Sequence, residues 1–175
     1  MQITNTALCR ANFDENKLER LCQLGKEREG NIIGVYPEGL VLQRSWISSE
    51  YAGDGLQDQL PHLQYELQLY SLRENRLTDT GFAWTQGELS FTAGQGIVYF
   101  VKNGSTRLYA HDLQNGKEWI VTDNIFGEAP PAPAASVMLM GEIHDNHIMF
   151  SSSTGEHTRY YSYNSVSYTH LTLPT

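Results

Sequence analysis

A strand–turn–strand phrase recurs along this chain, at residues 8–21, 67–77 and 108–121, and it opens again at Tyr160. Leu8, Leu67, Leu108 and Tyr160 begin the copies; Phe13, Leu72 and Leu113 sit five residues later, and a short polar turn follows each. The turns are Asp14-Glu15-Asn16-Lys17, Arg73-Glu74-Asn75-Arg76 and Gln114-Asn115-Gly116-Lys117. Turn chemistry that returns in phase with apolar anchors marks a repeat architecture, in which one supersecondary unit is laid down several times. Asn115-Gly116 carries a strong hairpin signal, because both residues tolerate the positive φ of a type I′ turn, and Asn16 and Asn75 serve the same end. The fourth copy does not reach a recognisable turn in this pattern.

A second hairpin precedes each later phrase. It spans 32–42 around Pro37-Glu38-Gly39, 89–101 around Gly94-Gln95-Gly96, and 139–150 around Asp145-Asn146. Each unit therefore holds two hairpins. The strand Ile97-Val98-Tyr99-Phe100-Val101 is almost wholly apolar, which requires both of its faces to be covered. Four-stranded antiparallel units at spacings of roughly 40 to 60 residues, covered on both faces, describe the blades of a β-propeller. A β-sandwich, the alternative, would show cleaner polar–apolar alternation and no turn chemistry in phase.

The expected fold is thus all-β, a partial propeller of four-stranded antiparallel blades. Its divisions are a half blade at 6–24, a blade at 31–80 with a long loop at 44–64, a blade at 87–122 and a partial blade at 137–165. About three and a half blades fall short of the four to eight that close a ring, so an uncovered blade face and open strand edges are expected.

Two resemblances follow from these residues. Leu108-Tyr109-Ala110-His111-Asp112-Leu113-Gln114-Asn115-Gly116-Lys117-Glu118-Trp119 resembles the repeat of quinoprotein-type propellers, although Trp119 falls one place early and the first two copies lack the Gly and the Trp. The looser alternation of "Leu-Tyr-x-x-x-Leu-x-x-Gly" with "Gly-x-Ile-Tyr-Phe" is more similar to bacterial propeller domains related to those of the low-density-lipoprotein-receptor-related proteins. That resemblance implies a propeller in an exported or surface protein and attaches no reaction to it. The last ten residues, 166–175, resemble the translation of a sequencing-library adapter and are set apart from the repeat.

Composition narrows the partners. With 40% hydrophobic and 11% aromatic residues the chain is that of a packed protein, and its net charge of −8 opposes nucleic-acid phosphates. No apolar run is long enough to span a membrane. Folding the first phrase about its turn pairs Phe13 with Leu18 and brings Cys9 opposite Cys22, which leaves two alternatives: a cross-strand disulfide, or two free thiols in a reducing compartment.

Chemistry-bearing clusters are weak. Glu142, His144, Asp145 and His147 are the densest set of potential ligands, but their spacing is not that of a zinc site, and a solvated turn explains them. Asp112 and Gly116 are too far apart for an Asp box, Ser151–Ser153 with His157 lack a nucleophile elbow, and Asn103-Gly104-Ser105 reads first as a turn. No catalytic residue, metal site or cofactor is therefore assigned. Recognition is expected instead on the long loop at 44–64, where Trp46, Tyr51, Asp54 and His62 are the candidate binding residues. The expected role is a non-enzymatic scaffold for a protein or small-molecule ligand. The alternative is a fragment of a propeller enzyme, a quinoprotein-like oxidoreductase or a hydrolase, whose catalytic residues lie in the missing part. The Pro-rich segment within 126–136 reads as an interblade connector.

Overall fold

A computed structural model describes residues 7–24, 29–48, 62–127, 136–144, 146–153, 157–165 and 169–172, with the backbone alone at 136, 141–144 and 169–172. It divides into two compact units, Met1–Gln86 and Gly87–Thr175.

In the first unit, β1 (Ala7–Asn12) and β2 (Lys17–Gln23) form a two-stranded sheet. Four further strands, β3 (Glu29–Tyr36), β4 (Gly39–Ile47), β5 (Leu63–Ser71) and β6 (Arg76–Thr85), form an antiparallel meander in chain order. The second unit holds two such meanders. One contains β7 (Leu89–Gly94), β8 (Ile97–Lys102), β9 (Leu108–Asp112) and β10 (Glu118–Thr122). The other contains β11 (Ser136–His144), β12 (His147–Ser153), β13 (Thr158–Asn164) and β14 (Thr169–Thr172). Sequential four-stranded meanders are the blade pattern the repeat predicts.

The turns show why the repeat is detectable. Asn16, Asn75 and Gly116 hold the same place in the three phrases, and all have positive φ, at 49°, 50° and 70°. A side-chain oxygen at the start of each turn caps the amides that follow: Asn12 Oδ1 accepts from Asp14 N at 3.1 Å, Ser71 Oγ from Glu74 N at 3.1 Å, and Asp112 Oδ1 from Gln114 N at 2.8 Å. The turns are thus longer than a two-residue type I′ hairpin, and of Asn115-Gly116 only the glycine is left-handed. The two-residue I′ geometry occurs instead at Gln95-Gly96, where both φ values are positive, 54° and 84°.

Three further details depart from expectation. Cys9 faces Arg20 and Cys22 faces Leu8, because a bulge between Leu8 and Cys9 leaves Leu21 as an extra residue. The slip puts the two cysteines on opposite faces of the ribbon, and both are free thiols, Cys9 exposed and Cys22 packed against the Leu8, Leu24, Leu42 and Tyr70 core. The β4–β5 pairing runs to Ile47 and Leu63, so Trp46 lies in a strand and the connection is shorter than 44–64. The fourth phrase also completes its hairpin, since Asn164 pairs with Thr169, partners as far apart in sequence as Asn12 and Lys17 or Ser71 and Arg76. Residues 169–172 lie within the segment set apart from the repeat. Backbone pairing needs only β-compatible residues, and Thr169-His170-Leu171-Thr172 supplies them.

Each unit has its own core. In the second, Val101, Leu108, Ile125 and Phe126 pack on Leu139, Ile148, Phe150 and Tyr163. Phe126 meets the rings of Phe150 and Tyr161 edge-on at centroid distances of 5.6 and 5.3 Å, and those two rings stack at 4.9 Å. Phe126 opens the expected connector, whose prolines lie outside the described residues, and Ile125 immediately precedes it.

Candidate functional site

The long β4–β5 connection leaves one end of the first unit's four-stranded sheet, and that end is built with care. Strand β5 reads Leu63-Gln64-Tyr65-Glu66-Leu67-Gln68-Leu69, a period-2 alternation that sends Gln64, Glu66 and Gln68 to one face. Trp46 and Arg44 of β4 lie on that same face, directly opposite Gln64 and Glu66.

Arg44 is 2% exposed. Its Nε donates to Glu29 O at 3.2 Å and its Nη1 to Gln68 Oε1 at 3.1 Å, while Nη2 donates to Leu24 O. The guanidinium therefore ties both ends of the link between β2 and β3 to the sheet. Gln68 in turn donates from Nε2 to Asp79 Oδ1 at 2.6 Å and to Glu66 Oε1 at 3.2 Å, so the buried cation communicates with two carboxylates that reach solvent. Arg44 stands at the start of the loop expected over 44–64, and its burial departs from that expectation. The signal was there in the placement of Arg44 two residues beyond Leu42, on a core face, opposite an alternating strand.

On the other face, Tyr65 stacks on Trp84 at 5.2 Å with 12° between planes, and Phe82 lies against the same indole at 5.5 Å. Tyr65 Oη donates to Gln86 Oε1 at 2.5 Å, and burial pushes its phenol above the ordinary value, which keeps it a neutral donor. A bulge in β6 opposite Leu67 is filled by Thr80, whose Oγ1 donates to Leu67 O at 2.7 Å and accepts from Phe82 N at 3.1 Å. These bonds satisfy groups the ladder leaves over and stiffen the strands under the connection.

At the root of the connection, Ser48 N donates to His62 O at 3.3 Å. Trp46 is half-buried and His62 exposed, so two of the four candidate binding residues flank the point where the connection leaves the sheet. Tyr51 and Asp54 lie outside the described residues. This end offers an indole, an imidazole, amide groups and the Glu66 carboxylate.

The other clusters are occupied in the fold. His144 and His147 are register partners across the Asp145-Asn146 turn, with Asp145 outside the described residues. His147 Nδ1 lies 2.7 Å from Ser162 Oγ and Nε2 lies 3.1 Å from Asn164 Nδ2. With the Asn164 amide assigned this way Nε2 must accept, so Nδ1 carries the proton and donates to Ser162, the reverse of what a base activating a serine requires. Ser162 is also buried, at 5% exposure. Among the described residues no group of three or more His, Cys, Asp or Glu could hold a metal ion, and no helix is long and apolar enough to cross a membrane. Asn103-Gly104 forms the turn expected of it, with Ser105 N donating to Lys102 O at 3.0 Å.

No protein-family model matches the sequence, and no curated protein does. Among solved structures, the chain is similar to an oligogalacturonate lyase in complex with manganese, with a TM-score of 0.63 and 13% identity over 97% of this chain and 48% of that one. It is also similar to TolB from Acinetobacter baumannii, with a TM-score of 0.52 and 13% identity over 97% of this chain and 37% of that one. Both are β-propellers, and the chain is a partial β-propeller that spans half or less of their length. At such identity the likeness carries the fold and no activity.

Proposed function

We propose that this chain is part of a non-enzymatic propeller that binds a protein or small-molecule ligand at the β4–β5 end of its first complete sheet, in an exported or surface protein of the kind its repeat resembles. The observation that carries the reading is the root of that connection. Regular pairing runs out to Ile47 and Leu63, and the strands are braced from within by Arg44 and Thr80. Trp46 and His62 are set where the chain leaves the scaffold. A long connection on a stiff platform is where propellers and other repeat folds place recognition. The charge of −8 favours neutral or cationic ligands over polyanions.

The enzyme alternative draws on the fold likeness to a lyase, and it places the catalytic groups outside this chain. The test is to screen the chain against panels of peptides and neutral oligosaccharides, then repeat with Trp46→Ala, His62→Ala and a variant in which 49–61 is replaced by Asn-Gly. Binders should lose at least about tenfold in affinity, roughly 1.4 kcal/mol, while exchange protection of β3–β6 stays unchanged. Binders indifferent to all three changes, or a panel with no binder, would defeat the reading.

A further inference from the structure

The dipeptide Asn-Gly occurs twice in the chain, at Asn103-Gly104 and Asn115-Gly116, and both copies stand in connections of the sheet β7–β10. Asparagine is thermolabile, most of all before glycine, which has no side chain to keep its own nitrogen from the asparagine Cγ. All four residues are exposed, and a Cβ on either glycine would meet nothing within 4 Å. Access therefore does not separate the two sites.

Hydrogen bonding does. Gly116 N donates to Asp112 O at 2.9 Å, Asn115 Nδ2 donates to Asp112 Oδ2 at 2.7 Å, and Asn115 Oδ1 accepts from Lys117 N at 2.9 Å. Both reacting groups are thus tied down, and the Asp112 carboxylate opposes the negative charge that an attack by Gly116 N would develop. At the other copy, Ser105 N donates to Lys102 O at 3.0 Å, which makes Asn103 and Gly104 the central residues of a turn. Gly104 has a φ of 74° while that of Asn103 is negative, the signature of type II. The peptide between them is the unit that turns over when types I and II interconvert, and the bond from Ser105 to Lys102 survives that rotation. Among the described residues no hydrogen bond holds the Gly104 amide or the Asn103 side chain. Lys102 and Arg107, both exposed, border the turn, and their charges favour a deprotonated nitrogen there.

We propose that Asn103 is a site of spontaneous covalent modification, passing through a cyclic imide to isoaspartate, while the Asp112 turn spares Asn115. The Gly104 nitrogen gives its proton to hydroxide and bonds to Asn103 Cγ; the Cγ–Nδ2 bond breaks and ammonia leaves. Water then opens the ring, at the main-chain carbonyl to give isoaspartate or at Cγ to give aspartate. The net change is one water consumed and one ammonia released, with no oxidant or reductant. The product sets a carboxylate beside Lys102 and Arg107 and, as isoaspartate, lengthens the backbone of the β8–β9 turn by one carbon.

The native chain would be incubated in mildly alkaline buffer and followed by peptide mass mapping, with electron-transfer fragmentation to tell isoaspartate from aspartate. Asn103 should convert at least about tenfold faster than Asn115, because several hydrogen bonds must open together before Asn115 can react. In guanidinium chloride, where neither turn persists, the two rates should fall within about threefold of each other. Asn103→Gln should remove the fast conversion and leave the rate at Asn115 unchanged. A native ratio under about tenfold, a faster Asn115, or a native ratio that persists in denaturant would each overturn the proposal.

Discussion

Replacing Arg44 tests whether the first unit is held together as described. Arg44→Met keeps most of the aliphatic stem and removes the three donors that reach Glu29 O, Gln68 Oε1 and Leu24 O. Glu29 is exposed and its carbonyl can turn to water, but the bonds to Gln68 and Leu24 are buried. Two buried acceptors left over cost about 1–3 kcal/mol each, and relief from burying the guanidinium offsets part of that, leaving a net loss of about 3 kcal/mol. Since 1.4 kcal/mol is about a factor of ten, slow-exchanging amides in β1, β2 and β3 should exchange about a hundredfold faster. Native-state hydrogen exchange is the suitable assay because it resolves the two units, whereas a melt would average them. Arg44→Lys should do no better. A lysine retains the buried charge but gathers its donors at one point, and it cannot span two carbonyls and an amide as the planar fork does. Acceleration under about 1 kcal/mol, an equal effect in β7–β13, or full rescue by lysine would refute the reasoning.

The remaining predictions are more local. Gln95 holds φ at 54° in a two-residue turn that favours asparagine, so Gln95→Asn should raise the stability of the second unit by about 0.5–1 kcal/mol, read from the urea midpoint. Cys9 is exposed, whereas Cys22 is half-buried with its thiol pushed up by burial, so one thiol should react rapidly with a disulfide reagent, and peptide mapping should place it at Cys9. Mild oxidation of the native chain should produce no internal crosslink, since the two side chains lie on opposite faces. Burial raises the phenols of Tyr36, Tyr65 and Tyr70 above their ordinary value of 10.0. A raised folded-state value favours the neutral form, so this stability is full below pH 10 and lost as pH rises through the folded values. Titration at 295 nm should find some tyrosines ionising only with unfolding, and ten phenols titrating together in a folded chain would contradict it.

The hairpins were legible because they are local. Asn16, Asn75 and Gly116 reveal themselves through residue type, since positive φ restricts what can stand there, and their equal offsets from Leu8, Leu67 and Leu108 expose the repeat. The alternation in β5 was equally readable. The strand register was not, because it depends on contacts between strands. One bulge beside Cys9 reversed the relation of two cysteines, and four more rungs of β4–β5 pairing, from Arg44 to Ile47, moved Trp46 from a loop into a strand.

The sequence by itself determined the strand order, the turn positions and the four-stranded repeat, all of which follow from backbone geometry over a few residues. Only the tertiary structure decided which faces are covered. It buried Arg44 beneath the ends of a neighbouring link and spent His147 on Ser162 and Asn164. Burial is a property of what packs against a residue, and the alternation along a strand tells only that two faces exist.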